Sequence, residues 1–206
     1  MAALGRNSIL RQLAEHELVV SPLLAADQVG ASSVDLRMGT VVLMARAGSR
    51  SHVDHAAYKT PNDYEGIENR KQKHERFDVP FLQSFLLHPG SLALVPTLEW
   101  VKLSIRLQGI VTARSSWARE GLNIATATII NPGYQGIITL ELANFGEIPI
   151  RLYPGLRIAQ IAFHELTSSN TGVTSEEVEK SQFDLAFEPV AGNISKRDGK
   201  FIPDES

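Results

Sequence analysis

The stretch from residue 81 to residue 166 most constrains the fold of this 206-residue chain. It consists of short apolar runs, such as "SLALVPTLEWVKL" and "GIITLELAN", which are separated by turn signals. Three Pro-Gly pairs, at 89–90, 132–133 and 154–155, each precede a run with the alternating pattern of a strand. Their uneven spacing excludes a true repeat. Many short strands joined at Pro-Gly turns predict a mainly β protein, either a barrel or a sandwich.

The segments on either side of this β stretch have other patterns. Residues 7–18, "NSILRQLAEHEL", predict an N-terminal helix capped by Asn7 or Ser8. Residues 46–80 are polar and rich in charge, which indicates a long excursion. We therefore expect a barrel domain over residues 1–166 and a C-terminal tail over residues 167–206. The sequence leaves three alternatives open for this tail: it becomes ordered over a functional site, it packs at a subunit interface, or it is disordered.

The composition excludes several classes of function. The chain has no cysteine, which removes disulfides, thiolate nucleophiles and cysteine-ligated zinc. A net charge of −3 provides no basic field, so we expect no nucleic-acid partner. The first residues lack the apolar core of a signal peptide, and no run is long enough to span a membrane. We therefore expect a soluble, cytoplasmic protein without a membrane partner. The 43% of hydrophobic residues is enough to build a core.

Cations and hydroxyls are crowded into the stretch "VTARSSWAREGLN". Ser115 or Ser116 is expected to cap a short helix that ends at Gly121. A helix start exposes backbone N–H groups and the positive end of the helix dipole. Because Arg114 and Arg119 flank this start, the pattern fits a polyanion site. It equally fits an ordinary capped turn with two surface arginines.

An acidic residue, Glu141, interrupts the apolar run "GIITLELAN". Strand alternation places Glu141 on the same face as the small residues Thr139 and Ala143, while the apolar residues between them face the core. A carboxylate in a partly dry cavity has a raised pKa and can shuttle protons. A glutamate on a solvent-facing edge strand has no such role. The run by itself leaves both interpretations open.

Six segments of the sequence stand in a characteristic order and spacing: "LGRNSILRQLAEHELVVSP", "GASSVDLRMG", "LLHPGSLALVPTLEWVKL", "ARSSWAREGL", "INPGYQGIITLELANFG" and "LYPGLRIAQIAF". Together they resemble the dCTP deaminase branch of the dUTPase superfamily, over roughly residues 4–166. The resemblance implies a distorted β-barrel with a short N-terminal helix, a small helix after the RSS motif, and a homotrimer with active sites between subunits.

The resemblance also implies the chemistry: hydrolytic deamination of dCTP to dUTP and ammonia, in pyrimidine deoxynucleotide metabolism. Zinc is not expected, because zinc-dependent cytosine deaminases use cysteine ligands. Mg²⁺ is expected to bind through the triphosphate of the substrate, and dTTP is a candidate inhibitor. Glu141 occupies the family's position for the proton shuttle, and the implied catalytic set is Glu141, Ser115, Arg119 and Ala127. The implied substrate-binding residues are Arg114, Ser116, Trp117, Ala118, Asn131, Thr139, Leu140, Gln160, Lys180 and Gln182.

Departures from the family pattern leave alternatives open. Asn131 stands where the family usually has aspartate, and an amide cannot act as a base. This speaks against a dUTPase, or a bifunctional dCTP deaminase–dUTP diphosphatase, without removing either. No tyrosine follows residue 153, so Lys180 and Gln182 are only partial equivalents of the family's closing tail. A non-catalytic nucleotide-binding regulator on the same fold is a third alternative. The preferred nucleotide, whether dCTP, dCMP or a modified cytosine nucleotide, also stays open.

Overall fold

The computed structural model describes residues 2–45, 74–124, 128–166 and 185–189. Within these ranges the chain forms helices α1 (Arg6–Ala14) and α2 (Ser115–Arg119) and a 3₁₀ turn (Ala26–Gln28). The remaining regular structure is extended. In chain order the strands are β1 (Ala2–Ala3), β2 (Leu18–Ser21), β3 (Val34–Arg37), β4 (Val41–Ala45), β5 (His74–Asp78), β6 (Phe85–Leu87), β7 (Leu92–Leu103), β8 (Leu107–Ala113), β9 (Leu122–Ile124), β10 (Ile129–Ile130), β11 (Gln135–Asn144), β12 (Ile150–Leu152) and β13 (Arg157–Glu165).

The described strands pair antiparallel in two larger sheets and one small one. The first sheet has the order β1-β13-β8-β10, and β3 also pairs with β13. The second has the order β5-β4-β7-β11-β9, and β2 also pairs with β7. Strands β6 and β12 form the third sheet. The predicted mainly β class is therefore confirmed, and so are the short N-terminal helix and the small helix after the RSS motif.

One core is built from the inward faces of both larger sheets. Leu36 and Phe163 of the first sheet and Val101 and Leu142 of the second are completely buried members of the same cluster. Strand alternation explains the pattern, because buried apolar residues recur at every second position over much of β8, β11 and β13. Burial of this apolar surface supplies the main driving force for folding.

The three Pro-Gly pairs are turns that start strands, as the sequence predicts. Gly90, Gly133 and Gly155 have φ values of 71°, 76° and 92°, a left-handed region that favours glycine. Strands β7, β11 and β13 each begin two residues after one of these glycines. These turns therefore set the starting points of the long strands that carry the candidate site.

The N-terminal helix is shorter than expected. It ends at Ala14, and Leu18, predicted as its last residue, begins β2. His16 causes the stop, because its φ of 59° turns the chain out of the right-handed helix. The predicted cap is also wrong: the N-cap is Gly5, and no side chain caps the helix. Among the described residues, no helix is long and apolar enough to span a membrane.

Two segments from outside the predicted β stretch also bond to the second sheet. Strand β5, at the end of the expected excursion, pairs with β4 over its whole length. Near the C-terminus, Leu185 N–H donates to the carbonyl of Gln135 at 2.7 Å, and the carbonyl of Ala186 accepts from Ile137 at 3.1 Å. Arg76 forms a 2.7 Å ion pair with Glu188. Residues 185–189 are thus attached to the beginning of β11 and to β5.

Candidate active site

Helix α2 directly follows β8 and presents the arginine–serine turn. Arg114 is its N-cap in an extended conformation, and the helix has no side-chain cap. Ser115 and Ser116, expected as caps, are instead the first two residues of the helix, and both are exposed. Their hydroxyls are therefore available for a ligand. Gly121 has a φ of 91°, which confirms the predicted left-handed end.

The cationic side of this turn is fixed to β3 and β13 by ion pairs. Arg114 forms an ion pair with Asp35, whose side chain is only 13% exposed. Arg157 lies 3.6 Å from Asp35 and makes two hydrogen bonds with Asp27, at 2.9 and 3.0 Å. The Trp117 indole N–H donates to the carbonyl of Arg157 at 3.1 Å. The hydrogen bond from Arg157 lowers the pKa of Asp27. Two carboxylates thus balance two guanidinium groups beside the helix start.

A buried polar network lies next to this cluster, and the sequence interpretation gave it no role in the site. Glu99 on β7 is completely buried. Its carboxylate accepts from Arg37 Nε at 2.6 Å, from Gln28 Nε2 at 2.8 Å and from the backbone N–H of Arg37 at 2.8 Å. Arg37 also donates to the carbonyl of Pro22 at 2.8 Å. The available signal was a glutamate in the apolar run "LVPTLEWVKL", the same kind of signal that marks Glu141.

Glu141 lies on β11, opposite Leu94 of β7. It is half-buried, and the residues on either side of it, Leu140 and Leu142, belong to the core. This is the alternation that the sequence predicts. Burial alone raises the pKa of Glu141 above its ordinary value of 4.5, with no charged neighbour as a cause. Within one copy of the described chain, no side-chain hydrogen bond joins Glu141 to Ser115 or Arg119.

The remaining predicted site residues are distributed over several elements. Gln160 lies opposite Thr112 on β8, and its amide donates to the Thr112 hydroxyl at 3.3 Å. Asn131 is exposed in the turn before β11, and its carbonyl accepts from Tyr134 N–H at 3.2 Å. Ala118 and Arg119 are exposed on α2, whereas Thr139 is partly buried and Leu140 fully buried on β11. Ala127, Lys180 and Gln182 lie outside the described residues.

No group of three or more His, Cys, Asp or Glu side chains is arranged to hold a metal ion in the described part of the chain. The absence of zinc and the binding of Mg²⁺ through the substrate both stay predictions. The carboxylates beside the turn are instead occupied by arginines. What the arrangement offers chemically is a half-buried carboxylate of raised pKa and, elsewhere on the surface, a helix start with exposed hydroxyls and arginines.

The fold defines the class to which this molecule belongs. A solved structure of 2′-deoxycytidine 5′-triphosphate deaminase from Agrobacterium tumefaciens matches it with a TM-score of 0.57 and 24% identity. The match covers 78% of this chain and 47% of that chain. This likeness shows that the chain shares the fold of that structure.

Sequence comparison identifies the family. The family model described as dCTP deaminase-like matches residues 3–166. A dUMP-forming dCTP deaminase of Methanobrevibacter smithii is 36% identical over 169 residues, covering 82% of each chain. A dCTP deaminase of Halorubrum lacusprofundi is 41% identical over 167 residues, covering 80% of this chain and 78% of the relative. The chain belongs to the dCTP deaminase-like family. The resemblance to this family that the sequence motifs indicate is confirmed, and so is the expectation of an enzyme.

Proposed function

We propose that this protein catalyses the hydrolytic deamination of dCTP to dUTP and ammonia. The observation that carries the proposal is Glu141, a half-buried carboxylate whose pKa is raised by burial alone. A carboxylate with this environment can accept and return a proton at a pH closer to neutrality than a solvated one. Family membership supplies the substrate class, since both relatives described above are named dCTP deaminases.

In the proposed reaction, Glu141 takes a proton from a bound water, and the oxygen of that water adds to C4 of the cytosine ring. Glu141 then delivers its proton to ring nitrogen N3. It next takes the proton of the new hydroxyl group on C4 and passes it to the amino group. The C4=O double bond forms as the C4–N bond breaks, and the amino group leaves as ammonia. The hydroxyl of Ser115 and the backbone carbonyl of Ala127 hold the water. One water is consumed, and no redox step is involved.

The arginine–serine turn takes the charged end of the nucleotide. Arg114, Ser116 and the free N–H groups at the start of α2 bind phosphate oxygens, and Arg119 stabilises the site around the reacting base. Trp117 and Ala118 complete the turn, while Asn131 meets the sugar hydroxyl. Gln160 lies near the nucleotide, and Thr139 and Leu140 contact the base through their backbone. Mg²⁺, bound to triphosphate oxygens, would neutralise part of their charge, and no zinc takes part.

We propose a homotrimer in which the turn of one subunit faces Glu141 of the next. The resemblance to the dCTP deaminase family implies such a shared site. Mixing tests this arrangement: Arg119→Ala and Glu141→Gln chains, each inactive alone, recover turnover when unfolded and refolded together. A mixture without turnover, or a monomer by light scattering, would exclude the shared site.

A second candidate is the further hydrolysis of dUTP to dUMP and pyrophosphate. The relative from Methanobrevibacter smithii is named dUMP-forming, which favours it. Asn131 speaks against it, because an amide cannot activate water as an aspartate does. The replacement Asn131→Asp is therefore expected to increase any release of pyrophosphate from dUTP.

Product analysis by chromatography separates these candidates. The purified protein is incubated with Mg²⁺ and, in separate reactions, dCTP, dCMP, CTP and dUTP. Ammonia and dUTP from dCTP support the main proposal, and pyrophosphate with dUMP supports the second candidate. If dCTP remains intact while dCMP is deaminated, the substrate assignment is wrong. If every nucleotide remains intact at high enzyme concentration, the proposed function fails.

A further inference from the structure

The pairing of β7 with β11 is interrupted close to Glu141. Residues 135–137 pair with 100–102, and residues 139–143 pair with 92–96. Ile138 alone therefore stands opposite three residues of β7, Thr97, Leu98 and Glu99, which we call the β7 corner. An irregularity of this kind changes the direction of the side chains that follow it on the strand. Glu141 is three residues beyond Ile138.

The hydroxyl of Thr97 holds this irregularity together. It accepts a hydrogen bond from the backbone N–H of Ile138 at 3.0 Å and donates one to the carbonyl of Glu99 at 2.8 Å. Thr97 is 3% exposed, and Ile138 is also buried. Without the hydroxyl, a buried N–H group would lose its partner, which is unfavourable. Thr97 thus connects the corner to the strand that carries Glu141.

The other end of the β7 corner is connected to the arginine–serine turn. The buried carboxylate of Glu99 binds both the side chain and the backbone N–H of Arg37 on β3. Two residues earlier on β3, Asp35 forms the ion pair with Arg114. Gln28 donates to Glu99 at 2.8 Å and to the carbonyl of Asp35 at 3.0 Å, which ties the two positions together. The corner is therefore connected to both parts of the site, through Ile138 on one side and through Arg37 and Gln28 on the other.

We propose that the β7 corner is a positioning element for the deamination proposed above, with Thr97 orienting the strand of Glu141 and Glu99 orienting Asp35 and Arg114. Neither residue touches the substrate. Their effect is geometric, because a catalytic group displaced by about 1 Å can lose about 10²-fold in rate. The inference depends on the proposed function, but the effect of Thr97 on the environment of Glu141 can be measured independently of it.

The matched pair Thr97→Val and Thr97→Ser tests the first connection. Valine keeps the shape and removes the hydroxyl, whereas serine keeps the hydroxyl and removes a methyl group. We expect kcat to fall about tenfold or more in Thr97→Val, with little change in KM, and to stay close to that of the unmodified protein in Thr97→Ser. Equal kcat values in two folded variants would overturn the role of Thr97.

A second measurement does not require turnover. The pKa of Glu141 is measured by ¹³C NMR of its carboxyl carbon, with the signal assigned by its loss in Glu141→Gln. It is expected to decrease toward the ordinary value of 4.5 in Thr97→Val, because a loosened strand admits water, and to stay raised in Thr97→Ser. Identical pKa values in the two variants would overturn the inference. If the protein leaves dCTP intact but the pKa of Glu141 still differs between Thr97→Val and Thr97→Ser, the proposed function is wrong and the effect of Thr97 on Glu141 stands.

The second connection is tested with Glu99→Gln, which removes the charge and keeps the size. We expect a higher KM for dCTP with a smaller change in kcat, since Arg114 binds phosphate in the proposal. If Glu99→Gln does not fold, Gln28→Met tests the same connection, because Gln28 joins Glu99 to the carbonyl of Asp35. If the KM for dCTP is unchanged in the folded variant, Glu99 does not orient Asp35 and Arg114.

Discussion

Asp35 and Arg114 form an ion pair that joins β3 to the start of helix α2, across 79 positions of the sequence. The Asp35 carboxylate is largely buried, whereas the Arg114 side chain is 35% exposed. Asp35 therefore holds one edge of the guanidinium group and leaves another open to a ligand. One of the two arginines of the cationic turn is thus already oriented by a carboxylate.

Replacement of Asp35 by asparagine is expected to increase the KM for dCTP about tenfold, with a smaller effect on kcat. Arg114 loses a charge-assisted hydrogen bond and no longer has a fixed direction. Steady-state kinetics measures the effect. The control is Asp27→Asn, since Asp27 is 74% exposed and contacts Arg157 instead. Equal KM values for both variants would show that Asp35 does not orient the phosphate-binding arginine.

Replacement of Glu141 by glutamine is expected to lower kcat by about 10²–10⁴-fold, because the amide cannot carry the proton. The size and the hydrogen-bonding capacity of the side chain are nearly kept. Initial rates of ammonia release from dCTP measure the loss, with Glu120→Gln as a control because Glu120 is exposed at the end of α2. A Glu141→Gln enzyme with full turnover would remove the proposed proton shuttle.

The same replacement is expected to stabilise the fold at neutral pH. Burial raises the pKa of Glu141 in the folded state, so ionisation costs more there than in the unfolded chain. As pH rises above the unfolded value near 4.5, the unfolded chain loses its proton first and the folded state loses relative stability. Thermal unfolding should show a higher Tm for Glu141→Gln at pH 7, with a gain that shrinks toward pH 4. A lower Tm at pH 7 would contradict this.

The pH dependence of kcat/KM follows from the same shift, because kcat/KM reports the ionisation of the free enzyme. Glu141 must be ionised to accept a proton from water, so kcat/KM should fall on the acid side with a midpoint above 4.5. Rates at dCTP concentrations well below KM, measured in buffers of constant ionic strength, give this midpoint. Full activity down to pH 4.5, in protein shown to remain folded, would mean that another group acts as the base.

The buried and exposed ion pairs should differ in their contribution to stability. Arg37→Met leaves the completely buried carboxylate of Glu99 without its main partner, and we expect a loss of about 3–5 kcal/mol in the free energy of unfolding. Arg76→Met is the control, because the Arg76–Glu188 pair is exposed and should show no measurable change. Urea denaturation compares the two. Similar losses would mean that the Glu99 network does not hold β3 to β7.

The sequence by itself determined the β class, the turns that begin the long strands, and the face on which Glu141 lies. These features depend on neighbouring residues: Pro-Gly pairs favour particular turns, and alternation within a strand separates two faces. The resemblance to the dCTP deaminase family likewise came from short ordered motifs, and the family comparison confirmed it.

Only the tertiary structure distinguished the two glutamates in apolar strands. Glu99 is completely buried and bonded to Arg37 across 62 positions, while Glu141 is half-buried with a pKa raised by burial. Likewise, the position of Asp35 beside Arg114 depends on β3 and β8 both pairing with β13. Burial and ion pairing are set by which distant strands meet, and the pattern of any single strand carries no information about its partner.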